Sequence, residues 1–140
     1  MSSLTPHGKG FSFLDQFQVT AEGRQGRGAK WLDPTLSFFA DHFPGRPLMP
    51  AVLLIECAAQ TAGALWASTQ GIASPTPFAL AQVLQFKILR PVHPGETVET
   101  DVSLETSLGK LAQFDVMLSV KGLEVARGKI ILGEVPKNEI

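Results

Sequence analysis

The chain has 140 residues, 44% of them hydrophobic and 18% charged, which is the composition of a soluble globular protein long enough to bury a core. A net charge of −1, with no long basic run, gives no electrostatic case for nucleic acid as a partner. Cys57 is the single cysteine, which excludes an internal disulfide and a cysteine-based metal cluster and suits a small core residue. The first twenty residues lack the basic-then-apolar pattern of a secretory signal, so the cytoplasm is the expected compartment. One domain over residues 1–140 is expected, with loose tails at 1–10 and 134–140.

In chain order, Phe11 to Val19 is aromatic-rich and partly alternating, which reads as a strand that can open with a short helical turn. Gly23, Gly26 and Gly28, with Arg24 and Arg27 between them, read as a turn. They lack dinucleotide-binding spacing and a strand–helix context. Ala29 to Leu32 is a short second strand, and Asp33-Pro34-Thr35 is a turn signal. Residues 38–50 form a loop stiffened by Pro44, Pro47 and Pro50, each of which fixes its own φ and restricts the residue before it. Pro50 suits the first position of a helix. From Ala51 to Ala67 only Glu56, Gln60 and Thr61 carry polar side chains, so this is a buried helix. It should fade near Gly71, which can take a left-handed C-terminal conformation. The run is near the lower limit of roughly 17–25 residues for a membrane span, but an ionisable Glu56 within it argues against lipid.

Residues 73–77 read as a loop, after which the period changes to that of strands. Leu80, Leu84, Phe86 and Ile88 share one parity, and His93-Pro94-Gly95 is a tight turn. Val98, Thr100, Val102 and Leu104 alternate with Glu99, Asp101 and Ser103, a half-buried strand pattern. Gly109-Lys110 and Gly122 separate two more strands, over Ala112–Val120 and Leu123–Leu132. Short connections make these strands antiparallel neighbours. The fold class is α+β: a curved antiparallel sheet wrapped around one long central helix.

Among the three histidines, His7 falls in a polar tail and His93 in a turn, while His42 heads the stiff loop that runs into the helix. A helix start offers unpaired N–H groups and positive partial charge, which suit an oxyanion. Glu56 follows about one and a half turns into the helix, and Gln60 is four residues further on the same face. A neutral imidazole beside a protonated carboxyl is a base–acid pair able to take a proton α to a carbonyl and protonate a leaving hydroxyl. By spacing alone, this chemistry and a structural glutamate with an ordinary loop histidine both stay open. No histidine pair has metal-ligand spacing, and no cofactor is implied.

The run His42-Phe43-Pro44-Gly45-Arg46-Pro47-Leu48-Met49-Pro50-Ala51-Val52-Leu53-Leu54-Ile55-Glu56-Cys57-Ala58-Ala59-Gln60 resembles the signature HFPxxPxMPGVLxxExxAQ of the β-hydroxyacyl-(acyl carrier protein) dehydratases of fatty acid synthesis. Phe38-Phe39, the Phe86–Val92 run and Pro94-Gly95-Glu96 resemble that family too, so the likeness extends over roughly residues 11–133. The resemblance implies a hot-dog fold, and a dimer or dimer-based hexamer with each site shared between subunits. It implies that His42 takes the C2 proton of a 3-hydroxyacyl thioester and that Glu56 assists loss of the C3 hydroxyl, giving the trans-2-enoyl thioester. The N–H of Ala51 would hold the thioester carbonyl, with Gly45 and Gln60 as further substrate-binding positions. The partner implied is an acyl carrier protein, which Lys87 and Arg90 can meet. Two departures stand out: Ala51 replaces the family's usual glycine, and Gln16 stands where arginine is common after Asp15. Glutamate rather than aspartate at position 56 favours the dehydratase-only branch over dehydratase–isomerases. A thioesterase on the same fold and a non-catalytic acyl-binding subunit are the competing readings.

Overall fold

A computed structural model describes residues 11–20, 23–41, 45, 47–71 and 78–135. Its elements are β1 (Gln16–Val19), β2 (Gln25–Trp31), α1 (Ser37–Asp41), α2 (Ala51–Thr69), β3 (Phe78–Ile88), β4 (Thr97–Leu108), β5 (Leu111–Val120) and β6 (Leu123–Glu134). The strands form one antiparallel sheet in the order β1-β2-β4-β5-β6-β3, and α2 lies across its concave face. This is the hot-dog arrangement. Glu134, the first residue of the 134–140 segment, belongs to the sheet, because β6 runs on to pair it with Phe78.

The alternation in β4 and β5 decides which side faces α2. Val98, Thr100 and Val102 from β4, with Ala112, Phe114, Val116 and Leu118 from β5, are all buried, and the residues between them are not. Lys121 and Gly122, at φ 51° and 80°, make the two-residue β5–β6 turn, whose positive φ angles match the twist of a hairpin. α2 ends as its sequence implies, with Gly71 at φ 73° just beyond the last turn. At that end Trp66 stacks on Phe78, ring centroids 4.7 Å apart, and meets Phe114 edge-on at 6.3 Å.

Three local expectations are corrected. Residues 38–41 are not loop but the end of α1, a short helix seated by its aromatics: Phe38 lies 4.6 Å from Phe39 and 6.2 Å from Phe13. Of the glycine group, only Gly23 is in a turn, while Gly26 and Gly28 are inside β2, which begins four residues before the expected strand. They are there for close approach rather than for turning. A Cβ on Gly26 would sit 2.7 Å from the Phe17 ring, and one on Gly28 would overlap Leu14 Cδ1 and lie 2.7 Å from Thr61 Oγ1. In β3 the single apolar face is broken by register shifts between Leu80 and Gln82 and between Leu84 and Lys87, with Gln85 at φ 49°. The second bulge lays Phe86 over Gly128, where a Cβ would come within 2.7 Å of its backbone. Leu80, Val83 and Ile88 are left exposed on this edge strand.

The glycine window in β2 is what lets Thr61 of α2 and Leu14 approach the sheet. Gly28→Ala should therefore lower stability by about 1–3 kcal/mol, the usual cost of overpacking. Chemical denaturation checks this, and an unchanged midpoint would show that Leu14 and Thr61 can move aside freely.

Candidate active site

The first half of α2 carries the candidate site. The chain enters the helix through Pro50, at φ −58° and ψ 136°, and no side chain caps the first turn. The Met49 N–H donates to the Val92 carbonyl at 2.7 Å, which ties this corner to the segment after β3. A groove of about 360 Å³ opens beside it, walled by Leu48, Met49, Ala51, Ile88, Leu89 and Pro91, with Arg90 at its rim. Ala51 is exposed in that wall. The positive partial charge of an uncapped helix start therefore faces a mostly apolar groove.

Glu56 is half-buried about 7–8 Å further along the helix, at ~1.5 Å per residue. Its Oε2 accepts a hydrogen bond from Gln60 Nε2 at 2.9 Å. Gln60 itself is only 6% exposed, and its amide is used three times: Nε2 also donates to the Phe11 carbonyl at 2.9 Å, and Oε1 accepts from the Phe13 N–H at 2.7 Å. Thr61, the third polar side chain of the helix, donates to the Cys57 carbonyl at 2.8 Å. Among the described residues no buried side-chain polar atom lacks a partner.

Of the expected site residues, the structure brings Glu56 and Gln60 into direct contact and places Ala51 at the mouth of the groove. Gly45 is exposed at φ 83°, a left-handed conformation that accounts for glycine there by backbone geometry alone. His42, which follows directly on the last residue of α1, lies outside the described residues, as do Pro44 and Arg46. His93 is a turn residue, its N–H held by Glu96 Oε1 at 2.7 Å. The backbone groups of Phe11 and Phe13 were not legible as part of the site. They are 49 and 47 residues from Gln60, and a main-chain donor leaves no mark in a sequence. Among the described residues no group of three or more His, Cys, Asp or Glu side chains could hold a metal ion.

The model of the ApeI-like dehydratase family matches residues 18–129 of the chain. The chain is 32% identical over 133 residues to the 3-hydroxyacyl-(acyl-carrier-protein) dehydratase FabZ of Herpetosiphon aurantiacus, covering 95% of this chain and 94% of that one. It is 35% identical over 127 residues to FabZ of Acidiphilium cryptum, covering 86% and 74%. Among solved structures, the dehydratase heterocomplex ApeI:P from Xenorhabdus doucetiae superposes with a TM-score of 0.79 at 16% identity, over 97% of this chain and 91% of that one. The Escherichia coli PaaI protein from the phenylacetic acid degradation operon shares the fold more distantly, with a TM-score of 0.61 at 13% identity over 84% and 82%.

Cys57 adjoins Glu56 in sequence but faces the core, 1% exposed, and burial pushes its thiol up to about 12. The unfolded thiol ionises near 9.0, so the stability tied to the protonated form is intact below that pH and is lost as pH rises from there through about 12. The native protein should resist alkylation at pH 8 and be labelled rapidly once denatured. Above pH 9 its unfolding free energy should fall more steeply than that of Cys57→Ala, as denaturant titrations at a series of pH values will show.

Proposed function

The chain belongs to the ApeI-like dehydratase family, and from that premise we propose that it converts a 3-hydroxyacyl thioester, carried on an acyl carrier protein, into the trans-2-enoyl thioester and water. The setting is fatty acid or related acyl-chain synthesis in the cytoplasm. The observation that carries the site assignment is the half-buried Glu56, fixed by Gln60 on an otherwise apolar helix, one and a half turns from an uncapped helix start that opens on an apolar groove.

In this reading His42 takes the proton from C2, and the C2–H electron pair becomes the second bond between C2 and C3. The C3–O bond breaks with its electrons on oxygen, and Glu56 gives the proton that completes water. The Ala51 N–H, at the positive end of α2, holds the thioester oxygen while negative charge builds on it. Gly45 lets the loop turn ahead of that amide. Lys87 and the groove-side Arg90, both exposed, meet the acidic surface of the carrier. Thioester cleavage is the weaker reading, because the relatives that match over nearly the whole chain are dehydratases.

The working unit is a dimer. α2 is apolar on both sides, yet the sheet covers only one, and Val52 is 70% exposed on the other. Strand β3 offers an eleven-residue edge with Leu80, Val83 and Ile88 exposed. A second copy pairing along that edge would cover these residues and bring its own loop to the groove, so that His42 of one chain meets Glu56 of the other. A second dehydratase-like subunit in that place is the alternative, favoured by the heterocomplex whose fold this chain shares.

Purified protein with a 3-hydroxyacyl carrier-protein substrate should form enoyl product, and His42→Ala and Glu56→Gln should each lower turnover by about 10²–10⁴-fold. Thioester hydrolysis without enoyl formation would overturn the assignment. Light scattering should give at least twice the chain mass of 15.0 kDa. A monomer that becomes active only with a second subunit would favour the heterocomplex, and an active monomer would refute the shared site.

A further inference from the structure

The face of the sheet turned away from α2 carries a cleft of about 600 Å³ over β5, β6 and the second bulge of β3. It shares no lining residue with the groove at the start of α2. Three cations line it, and they are served differently. Lys129 Nζ donates to both carboxylate oxygens of Glu105 at 2.8 Å and lies 3.6 Å from Asp115. Arg127 has one ionic contact, 3.7 Å from Nε to Glu124 Oε1, which is too long for a hydrogen bond. The Lys87 side chain has no hydrogen-bonded or ionic partner among the described residues. Yet Lys87 and Arg127 are register partners across β3 and β6, and like charges set directly opposite each other destabilise a sheet. The bulge creates this pair. In an unbroken ladder from the Leu84–Lys129 pair, Phe86 would lie opposite Arg127, and Lys87 opposite the buried Ala126. The extra residue instead lays Phe86 over Gly128 and sets Lys87 against Arg127, with Gln85 held at φ 49°, a costly conformation for a residue other than glycine.

We propose that the opposed Lys87 and Arg127 form a second binding site on this chain, for the phosphate group of a small molecule. An anion between the two side chains turns their repulsion into attraction to a common partner. The planar guanidinium offers a fork of donors that fits two phosphate oxygens, and the ammonium is a point charge for a third. Glu124 is the competitor: its long, exposed contact with Arg127 is of the weak kind that a dianion displaces. Lys129, already committed to Glu105 and Asp115, stays in its ion pairs and keeps Asp115 from opposing the ligand. Met117, the register partner of Arg127 on β5, is exposed beside the cations and gives the cleft an apolar side. Pairing of a second copy along the edge of β3 engages main-chain groups in the plane of the sheet and leaves this outer face open. The site is independent of the dehydration and is read by binding, not by turnover.

The test is a titration of the full chain with inorganic phosphate and, separately, with ADP, followed by backbone amide NMR shifts with chloride holding the ionic strength constant. Saturable shifts are expected at residues 85–87 and 127–129, with a Kd of about 1 mM or below for at least one probe. Lys87→Gln and Arg127→Gln should each weaken binding about 10-fold or more, the effect of losing a hydrogen bond to a charged group. Glu124→Gln, which removes the competitor, should tighten it severalfold. Lys110→Gln, on the β4–β5 turn and outside the cleft, should change it by less than about twofold. Similar affinity for the two probes identifies a site for a lone phosphate, and tighter binding of ADP identifies a nucleotide diphosphate. In chloride alone, thermal unfolding should find Lys87→Gln no less stable than the parent, because one of two opposed charges is gone. No saturation below about 10 mM with either probe, shifts centred outside the cleft, or unchanged affinity in Lys87→Gln and Arg127→Gln would overturn the proposal. So would a marked loss of stability in Lys87→Gln, which would give that side chain a structural role instead.

Discussion

An apolar helix with one covered side is the constraint on which this structure depends. Leu54, Cys57, Ala58, Ala62 and Leu65 are buried against the sheet, and a sheet of six strands must curve to reach them. Close approach needs small residues on both partners, hence Ala58 and Ala62 on the helix and Gly28 beneath Thr61 and Leu14 on β2. Among the described residues the sheet packs on one side of α2, and Val52 near its start is exposed. The bulged edge of β3 lies at the far end of the same sheet. These are the apolar positions that the proposed dimer would cover.

The same constraint dictates how polar groups on the helix are handled. A polar side chain facing the core costs free energy unless it is hydrogen-bonded. Thr61 meets this locally by bonding back one turn to Cys57, but Gln60 needs partners from elsewhere. The segment before β1 supplies them as main-chain groups, and an irregular stretch can do this because its N–H and C=O are not committed to a ladder. That explains why Phe11 to Asp15 departs from the strand expected there: β1 starts only at Gln16.

What could be read from the sequence was whatever depended on periodicity. The helix bounds near Ala51 and Gly71, the alternation of β4 and β5 and the two glycine turns between strands followed from patterns with one physical cause each. What could not be read depended on tertiary approach. Gly26 and Gly28 have the composition of a turn, and only the Phe17 ring and the Leu14 and Thr61 side chains show that they are strand residues cleared for packing. The β3 bulges are invisible because the parity of Leu80, Leu84, Phe86 and Ile88 is that of a regular strand. α1 was missed because five residues are too short for a helical period, and its aromatics hold it by contact rather than by propensity. For the site, the sequence offered the residue types and the spacing of Glu56 and Gln60, but not the hydrogen bonds that tie Gln60 to Glu56, Phe11 and Phe13.

Ala51 can be placed in the same terms. Where the resemblance has glycine, this chain begins α2 with alanine, and no side-chain cap supports that first turn. Alanine stabilises a helical position by roughly 0.5–1 kcal/mol relative to glycine, chiefly by narrowing the unfolded ensemble. The N–H that the proposed mechanism uses is common to both residues. The methyl group adds bulk to the groove wall formed with Leu48, Met49 and Ile88. The substitution therefore changes the shape of the groove wall and leaves the main-chain donor in place. In the proposed reaction its consequence falls on which acyl groups fit, not on the proton transfer assigned to Glu56.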